Sequence, residues 1–207
     1  MTTKRPALKT RPGHQPFVCV EGIDGSGKTT AATLLAQALG GVYYKTPPQP
    51  FAAIRGFVDG HSTPSPRFYF YLASVVYASA EIEQLLTSRP VICDRYLYST
   101  IAYHAALGVD MGNYTAPPGL LMPEVAVLLV ANERVRAARL RARQTEDNSD
   151  RHFENDSRFM SRVLCEFRKM GLIEIDTTHL APAEVVASIL EVIPDTKSRV
   201  NQPVFLL

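Results

Sequence analysis

Apolar positions along the chain fall into two alternating kinds of run. Short, nearly unbroken apolar runs recur at 16–22 (PFVCVEG), 42–46 (VYYKT), 90–95 (PVICDR), 125–131 (VAVLLVA) and 172–176 (LIEID). They are too short for core helices and predict strands, the first and third of them buried. Between them, residues 28–39, 66–87, 98–107, 133–144, 157–171 and 182–193 read as helices. Gly40-Gly41 stops the first helix, Pro47-Pro48 ends the second strand, and the broken stretch GHSTPSP precedes the long helix. Strands alternating with helices predict an α/β fold: a five-stranded parallel sheet with helices on both faces.

The chain of 207 residues fits one domain, with no internal repeat and no linker to a second. Its 22 basic and 20 acidic residues nearly cancel, to a net charge of +2, so there is no global case for a nucleic-acid partner. No apolar run approaches the roughly 18 residues of a membrane span. The first fifteen residues carry Lys4, Arg5, Lys9 and Arg11 with two prolines and no apolar centre. They read as a flexible basic arm, solvated, and not as a secretory signal. Residues 195–207 read as an irregular tail. Three widely spaced cysteines, Cys19, Cys93 and Cys165, suit a reduced, cytoplasmic protein better than a disulfide framework or a zinc site.

The first strand runs directly into GIDGSGKT, Gly22 to Thr29, the G-x-x-x-x-G-K-[ST] pattern, and a helix follows. Gly22, Gly25 and Gly27 let the backbone turn successive N–H groups toward one anion, and the helix adds the positive end of its dipole. Ser26 and Thr30 complete the cradle with Asp24 inside it. Lys28 supplies a point charge for the β- and γ-phosphates of ATP, and Thr29 a hydroxyl for Mg²⁺. Asp94, at the tip of the strand VICD, is placed to hold Mg²⁺ or its waters; the competing reading is a helix cap. Arg134, Arg136, Arg139, Arg141, Arg143 and Arg151 crowd a third region, followed by or flanking the polar, helix-poor QTEDNSD. For most of them a solvated helix face suffices. Arg143 and Arg151, next to what reads as a mobile flap (about 141–156), are the candidates for stabilising charge on a transferred phosphoryl group.

With these pieces in order, the chain resembles a thymidylate kinase, of the P-loop nucleoside monophosphate kinases. The matching stretches are EGIDGSGKTT, DRYLYSTIAYH, MPEVAVLL, ERVRAARLRAR and DRHFE, spread from about Phe17 to Ile193. The resemblance implies a P-loop kinase domain over 16–194 that moves the γ-phosphoryl of MgATP to a nucleoside monophosphate, most simply dTMP. It implies small-molecule nucleotides as partners and a homodimer. It also implies that Asp24 approaches the acceptor's 3′-hydroxyl and that Arg95 binds the acceptor phosphate. Tyr96 and Ser99 line the acceptor pocket, Tyr103 lies beside the base, Phe70 stacks on it, and the loop DTTHLAP edges the adenine.

Four positions depart from the family pattern. Lys45 stands where the family usually has an arginine that grips the acceptor phosphate, Ser74 where an arginine contacts thymine, His104 where glutamine is usual, and Val130 where an Asp is usual. The first three touch the acceptor and none of those touches ATP. Two other readings therefore stand beside the kinase of a nucleotide: a kinase of a nucleoside or other metabolite hydroxyl, with Glu21 or Asp24 as the base, and a nucleotide-binding regulatory module. An acceptor-phosphate clamp at Arg95 favours transfer.

Overall fold

The computed structural model describes residues 15–112, 114–142 and 156–194. The expected arm, except Gln15, lies outside them, as do residues 143–155 of the expected flap and the expected tail. Strand β1 (Phe17–Glu21) is the centre of a five-stranded sheet. Its neighbours are β3 (Val91–Asp94) and β4 (Val125–Val130), with β2 (Val42–Lys45) and β5 (Ile173–Asp176) at the edges, in the order β2-β3-β1-β4-β5. Every pair is parallel, as the apolar runs predict.

Alternation along each strand divides the core. Phe17, Cys19, Val91, Cys93, Leu128 and Val130 face one helical layer; Val18, Val20, Ile92, Val127 and Leu129 face the other. The first layer holds α3 (Pro64–Leu85), α4 (Leu97–Ala106) and α6 (Ser157–Lys169), through residues such as Val75, Ile82, Ala102, Val163 and Phe167. The second holds α1 (Lys28–Ala38) and α7 (Pro182–Val192), through Ala32, Leu35, Val185 and Ile189. Helix α5 (Glu133–Ala142) follows β4. All strands point their C-terminal ends at one edge, and the chain leaves β1 toward β2 and β3 on one side and returns to β4 and β5 on the other. Ligands of such sheets bind where those directions part.

One element was not expected. The sequence reading places no helix between Pro47 and Pro66, yet α2 (Phe51–His61) lies there. Gly56 and Gly60 each cost a helix about 1 kcal/mol relative to Ala, which masks the helical spacing of Phe51, Ile54 and Val58. None of its residues is buried; the Phe51 ring rests on Phe70 and Tyr77 of α3. Helix α3 begins earlier than expected, at Pro64, whose fixed φ suits a first helical position.

Candidate active site

The phosphate loop joins β1 to α1 as its pattern predicts. Gly22 has φ 143°, and a Cβ there would lie 2.3 Å from the Leu129 carbonyl oxygen. Gly25, with φ 82°, would meet the Arg136 backbone at 3.0 Å. Both positions require glycine because neighbouring backbone closes on them. Ser26 is buried, and its Oγ has no partner among the described residues.

Lys28 is 5% exposed and donates to the Ile23 carbonyl at 2.9 Å, with Asp24 Oδ1 at 3.5 Å. Burial, and next the Arg95 charge, lower its pKa to about 8. Asp24 also pairs with Arg95 Nη2 and accepts from the Tyr103 hydroxyl at 3.3 Å. Burial raises the Asp24 pKa, but Arg95 and Lys28 outweigh it and hold the carboxylate well below its ordinary range. Asp24 thus ties the phosphate-loop lysine to the arginine of the neighbouring cavity.

Arg95 has φ 69°, the left-handed region that a non-glycine residue enters at a cost. The surroundings over-determine it. Its N–H donates to Val20 at 3.1 Å, and its carbonyl accepts from Thr46 Oγ1 and Cys93 Sγ at 2.9 Å each. Its guanidinium lies 5.2 Å from the Tyr103 ring centroid, with Nη1 3.4 Å from Ser99 Oγ. Ser99 Oγ in turn donates to Glu21 at 2.5 Å. Glu21 also accepts from the backbone N–H of Tyr96 at 2.7 Å and of Ser99 at 3.3 Å, capping α4 from β1.

Asp94 Oδ2 accepts from Thr29 at 2.6 Å and from the Tyr43 hydroxyl at 3.0 Å. Its Oδ1 is buried with no partner among the described residues. A buried carboxylate oxygen left open beside the Thr29 hydroxyl is a hard-oxygen donor set that fits Mg²⁺ completed by phosphate oxygens and water. The loop and strand ends therefore supply the residues for that ion, although the described residues hold no group of three or more metal-ligating side chains.

Two cavities open at this edge. The larger, about 580 Å³, is lined by Asp24, Arg95, Tyr96, Ser99, Tyr103, Ser74 and His104, and also by Thr46, Tyr71 and Arg67. The smaller, about 320 Å³, lies between the phosphate loop, α5 and the β5–α7 turn, with Ser26, Gly27, Thr30, Arg139 and Thr177 in its wall. Each is of the size of a nucleotide's part.

Two acceptor expectations fall elsewhere. Phe70 is not in the lining; it packs on Phe51, and its neighbour Tyr71 faces the cavity with its hydroxyl on Asp59. Lys45 is exposed and outside the lining, because β2 delivers the next residue, buried Thr46, to the Arg95 carbonyl. Tyr96 reaches the cavity only in part: its ring is buried on Phe17, and its hydroxyl donates to the Leu121 carbonyl. Arg143 and Arg151 lie outside the described residues.

The solvated reading of the α5 arginines needs correction. Arg136 is 1% exposed and donates from Nε to the Asp24 carbonyl at 2.8 Å. Arg139 donates to the Thr177 carbonyl at 2.7 Å and Oγ1 at 2.9 Å, with the Gly25 carbonyl at 3.4 Å. Both guanidiniums serve carbonyls of the loops around them. Their shared helix face was legible; their partners, 38 to 114 residues away in the chain, were not.

A carboxylate-flanked phosphate loop opening onto a second cavity with a half-buried arginine, at the C-terminal edge of a parallel sheet, defines a nucleotide phosphotransferase of the P-loop class. A family model described as thymidylate kinase matches residues 20–189. The chain belongs to the thymidylate kinase family. It is 28% identical over 183 residues to a probable thymidylate kinase of Methanocaldococcus jannaschii, across 82% of this chain and 90% of the relative. It is 30% identical over 192 residues to one of Pyrobaculum aerophilum, across 86% and 95%. The solved thymidylate kinase of Candida albicans has the same fold, with TM-score 0.72 at 19% identity over 94% of this chain and 98% of that one. That of Ehrlichia chaffeensis gives 0.62 at 20% identity over 87% and 100%.

Proposed function

We propose that the protein transfers the γ-phosphoryl of ATP to the 5′-phosphate of dTMP, giving ADP and dTDP. The observation that carries the reading is Asp24 in the wall of the larger cavity, where it pairs both with Lys28 of the phosphate loop and with Arg95 of the acceptor side. The bond from the γ-phosphorus to the bridging oxygen breaks, and an oxygen of the acceptor phosphate bonds to that phosphorus. The acceptor is already an anion, so no strong base is required. Loop N–H groups and Lys28 hold the β- and γ-phosphates, Arg95 presents two donors to the acceptor phosphate, and the pre-set charges stabilise what develops between them. Asp94 and Thr29 would hold Mg²⁺, which would supply neutralising charge to the donor's phosphates. Arg143 and Arg151 are proposed to add positive charge from the flap. The smaller cavity takes the adenine. The hydroxyl-acceptor and regulatory readings draw no support from the relatives.

The remaining expectations stand as proposals. Three free cysteines, two of them buried, suit a reducing cytoplasm. No helix among the described residues is long and apolar enough to cross a membrane. Exposed apolar side chains on α2 and α3 support a homodimer.

The test is ADP release from MgATP with dTMP, dCMP, thymidine or buffer alone. With dTMP, release should exceed the buffer rate by at least about 100-fold, as acceptor-dependent charge stabilisation implies, and thymidine should not substitute. Release that ignores the acceptor, or that thymidine drives equally, overturns the reading.

A further inference from the structure

The wall that α3 and α4 give the larger cavity contains two buried polar atoms without a hydrogen-bond partner among the described residues: Nε2 of His104 and Nε of Arg67. Their chemistry is fixed by what surrounds them. Nδ1 of His104 lies 2.7 Å from the Thr100 carbonyl oxygen, one turn back on α4. A carbonyl only accepts, so Nδ1 carries the ring proton. Burial lowers the His104 pKa to about 4, and the Arg67 charge acts in the same direction. The ring is therefore neutral at pH 7, and Nε2 is a bare acceptor. Phe68 and Tyr71 hold the ring, each with centroids 5.6 Å away.

Arg67 is fixed as firmly. Its Nη2 donates to the Asp59 and Ser62 carbonyls at 2.8 Å each. Its Nε stands 3.7 Å from Asp59 Oδ1, beyond hydrogen-bond reach. Ser74, where the family tends to have the arginine that contacts thymine, spends its hydroxyl on the Tyr71 carbonyl at 2.7 Å. One wall thus holds one fixed acceptor and one fixed donor, each costly while unpaired. A ligand that relieves both presents one hydrogen-bond donor and one acceptor to this wall.

We propose that His104 and Arg67 read the acceptor's base: His104 Nε2 accepts from a ring N–H and Arg67 Nε donates to the adjacent carbonyl, selecting the imide edge of thymine and uracil over the amidine edge of cytosine. The assignment rests on the proposed nucleotide-kinase reading. It makes His104 a specificity-determining residue through its tautomer and moves the guanidinium donor from position 74 to Arg67.

The decisive probe is N3-methyl-dTMP, which keeps both carbonyls and lacks the N–H. The wild-type enzyme should use it with kcat/KM at least about 100-fold below that for dTMP, as expected where a site hydrogen-bonds the missing group. His104→Ala should lower kcat/KM for dTMP, make room for the methyl, and bring the two substrates within about 3-fold of each other, with KM for ATP unchanged. Arg67→Met, a second variant that leaves α4 intact, should narrow the preference for dTMP over dCMP about 10-fold. A general structural defect would lower all nucleotides alike and leave these ratios fixed. Wild-type use of N3-methyl-dTMP within about 3-fold of dTMP overturns the inference, as does a His104→Ala variant that lowers both equally. If no nucleoside monophosphate drives ADP release at all, the parent reading falls and takes this one with it.

Discussion

Lys28 is a buried cation acted on by three carboxylates, Asp24, Asp94 and Glu21, and by a second cation, Arg95. Burial and Arg95 depress its pKa to about 8, while Asp24 and Asp94 act against them. In the free enzyme the ammonium therefore loses its proton as pH rises through about 8. Bound phosphates favour the charged form and raise that pKa, so saturating ATP protects it. Because kcat/KM reports the free enzyme, kcat/KM for ATP should fall with a limb near pH 8, while kcat stays flat over the same range. Lys28→Met should lose most turnover, and its residual kcat/KM should lack that limb. A wild-type profile flat to pH 10 would show that Lys28 is not the titrating group. At this scale the phosphate loop was legible because its demands are local: glycines at fixed offsets, then a lysine and a hydroxyl. Asp94 was legible as the tip of an apolar strand. The choice between Phe70 and Tyr71 was not, because in an aromatic run the helix rotation is set by what the neighbours pack against.

Helix α4 depends on a residue from another element. Its N-terminal N–H groups are met by Glu21, fully buried at the end of β1, and Tyr96 gives no side-chain cap of its own. Burial raises the Glu21 pKa, and the bonds from Ser99 and the Arg95 charge only partly offset it. The carboxylate is retained at that cost because it fixes where Arg95 and Ser99 emerge. Glu21→Ala leaves two buried donors and the Ser99 hydroxyl unmet, and should destabilise by about 2–4 kcal/mol. Glu21→Gln keeps one acceptor oxygen without a buried charge, and should cost at least about 1.5 kcal/mol less. Urea melts of the two variants check the order; equal midpoints would mean that Glu21 does not hold the helix. The central strands were legible from apolar runs, because burial on both sheet faces writes itself into contiguous sequence; the edge strands β2 and β5 are less buried and were legible from short apolar runs between turn signals. Helix α2 was not, since it buries nothing fully and carries two glycines. Yet it brings Arg55 and Asp59 to the acceptor cavity.

The outer surface of the α2–α3 pair poses a question that one chain leaves open. On α2, Ile54 and Phe57 are one turn apart and 54% and 68% exposed. On α3, Tyr69, Val76 and Tyr77 fall at i, i+7 and i+8, on one helical face, and all are exposed. Each such side chain is worth about 1.5–3 kcal/mol when fully buried, and apolar groups shared by two adjacent helices mark a contact surface more than scattered exposure does. A second copy using the same surface would cover both helices by two-fold symmetry. It would also brace α2, the least buried wall of the acceptor cavity. Sedimentation at micromolar concentration should give twice the chain mass of 22.9 kDa. Tyr69→Glu with Val76→Glu places like charges across such an interface and should return the single-chain mass. Neither residue lines the larger cavity, so any accompanying rise in KM for dTMP would report the loss of bracing on α2. A wild-type protein that sediments at 22.9 kDa would mean that these side chains are covered by nothing of its own kind.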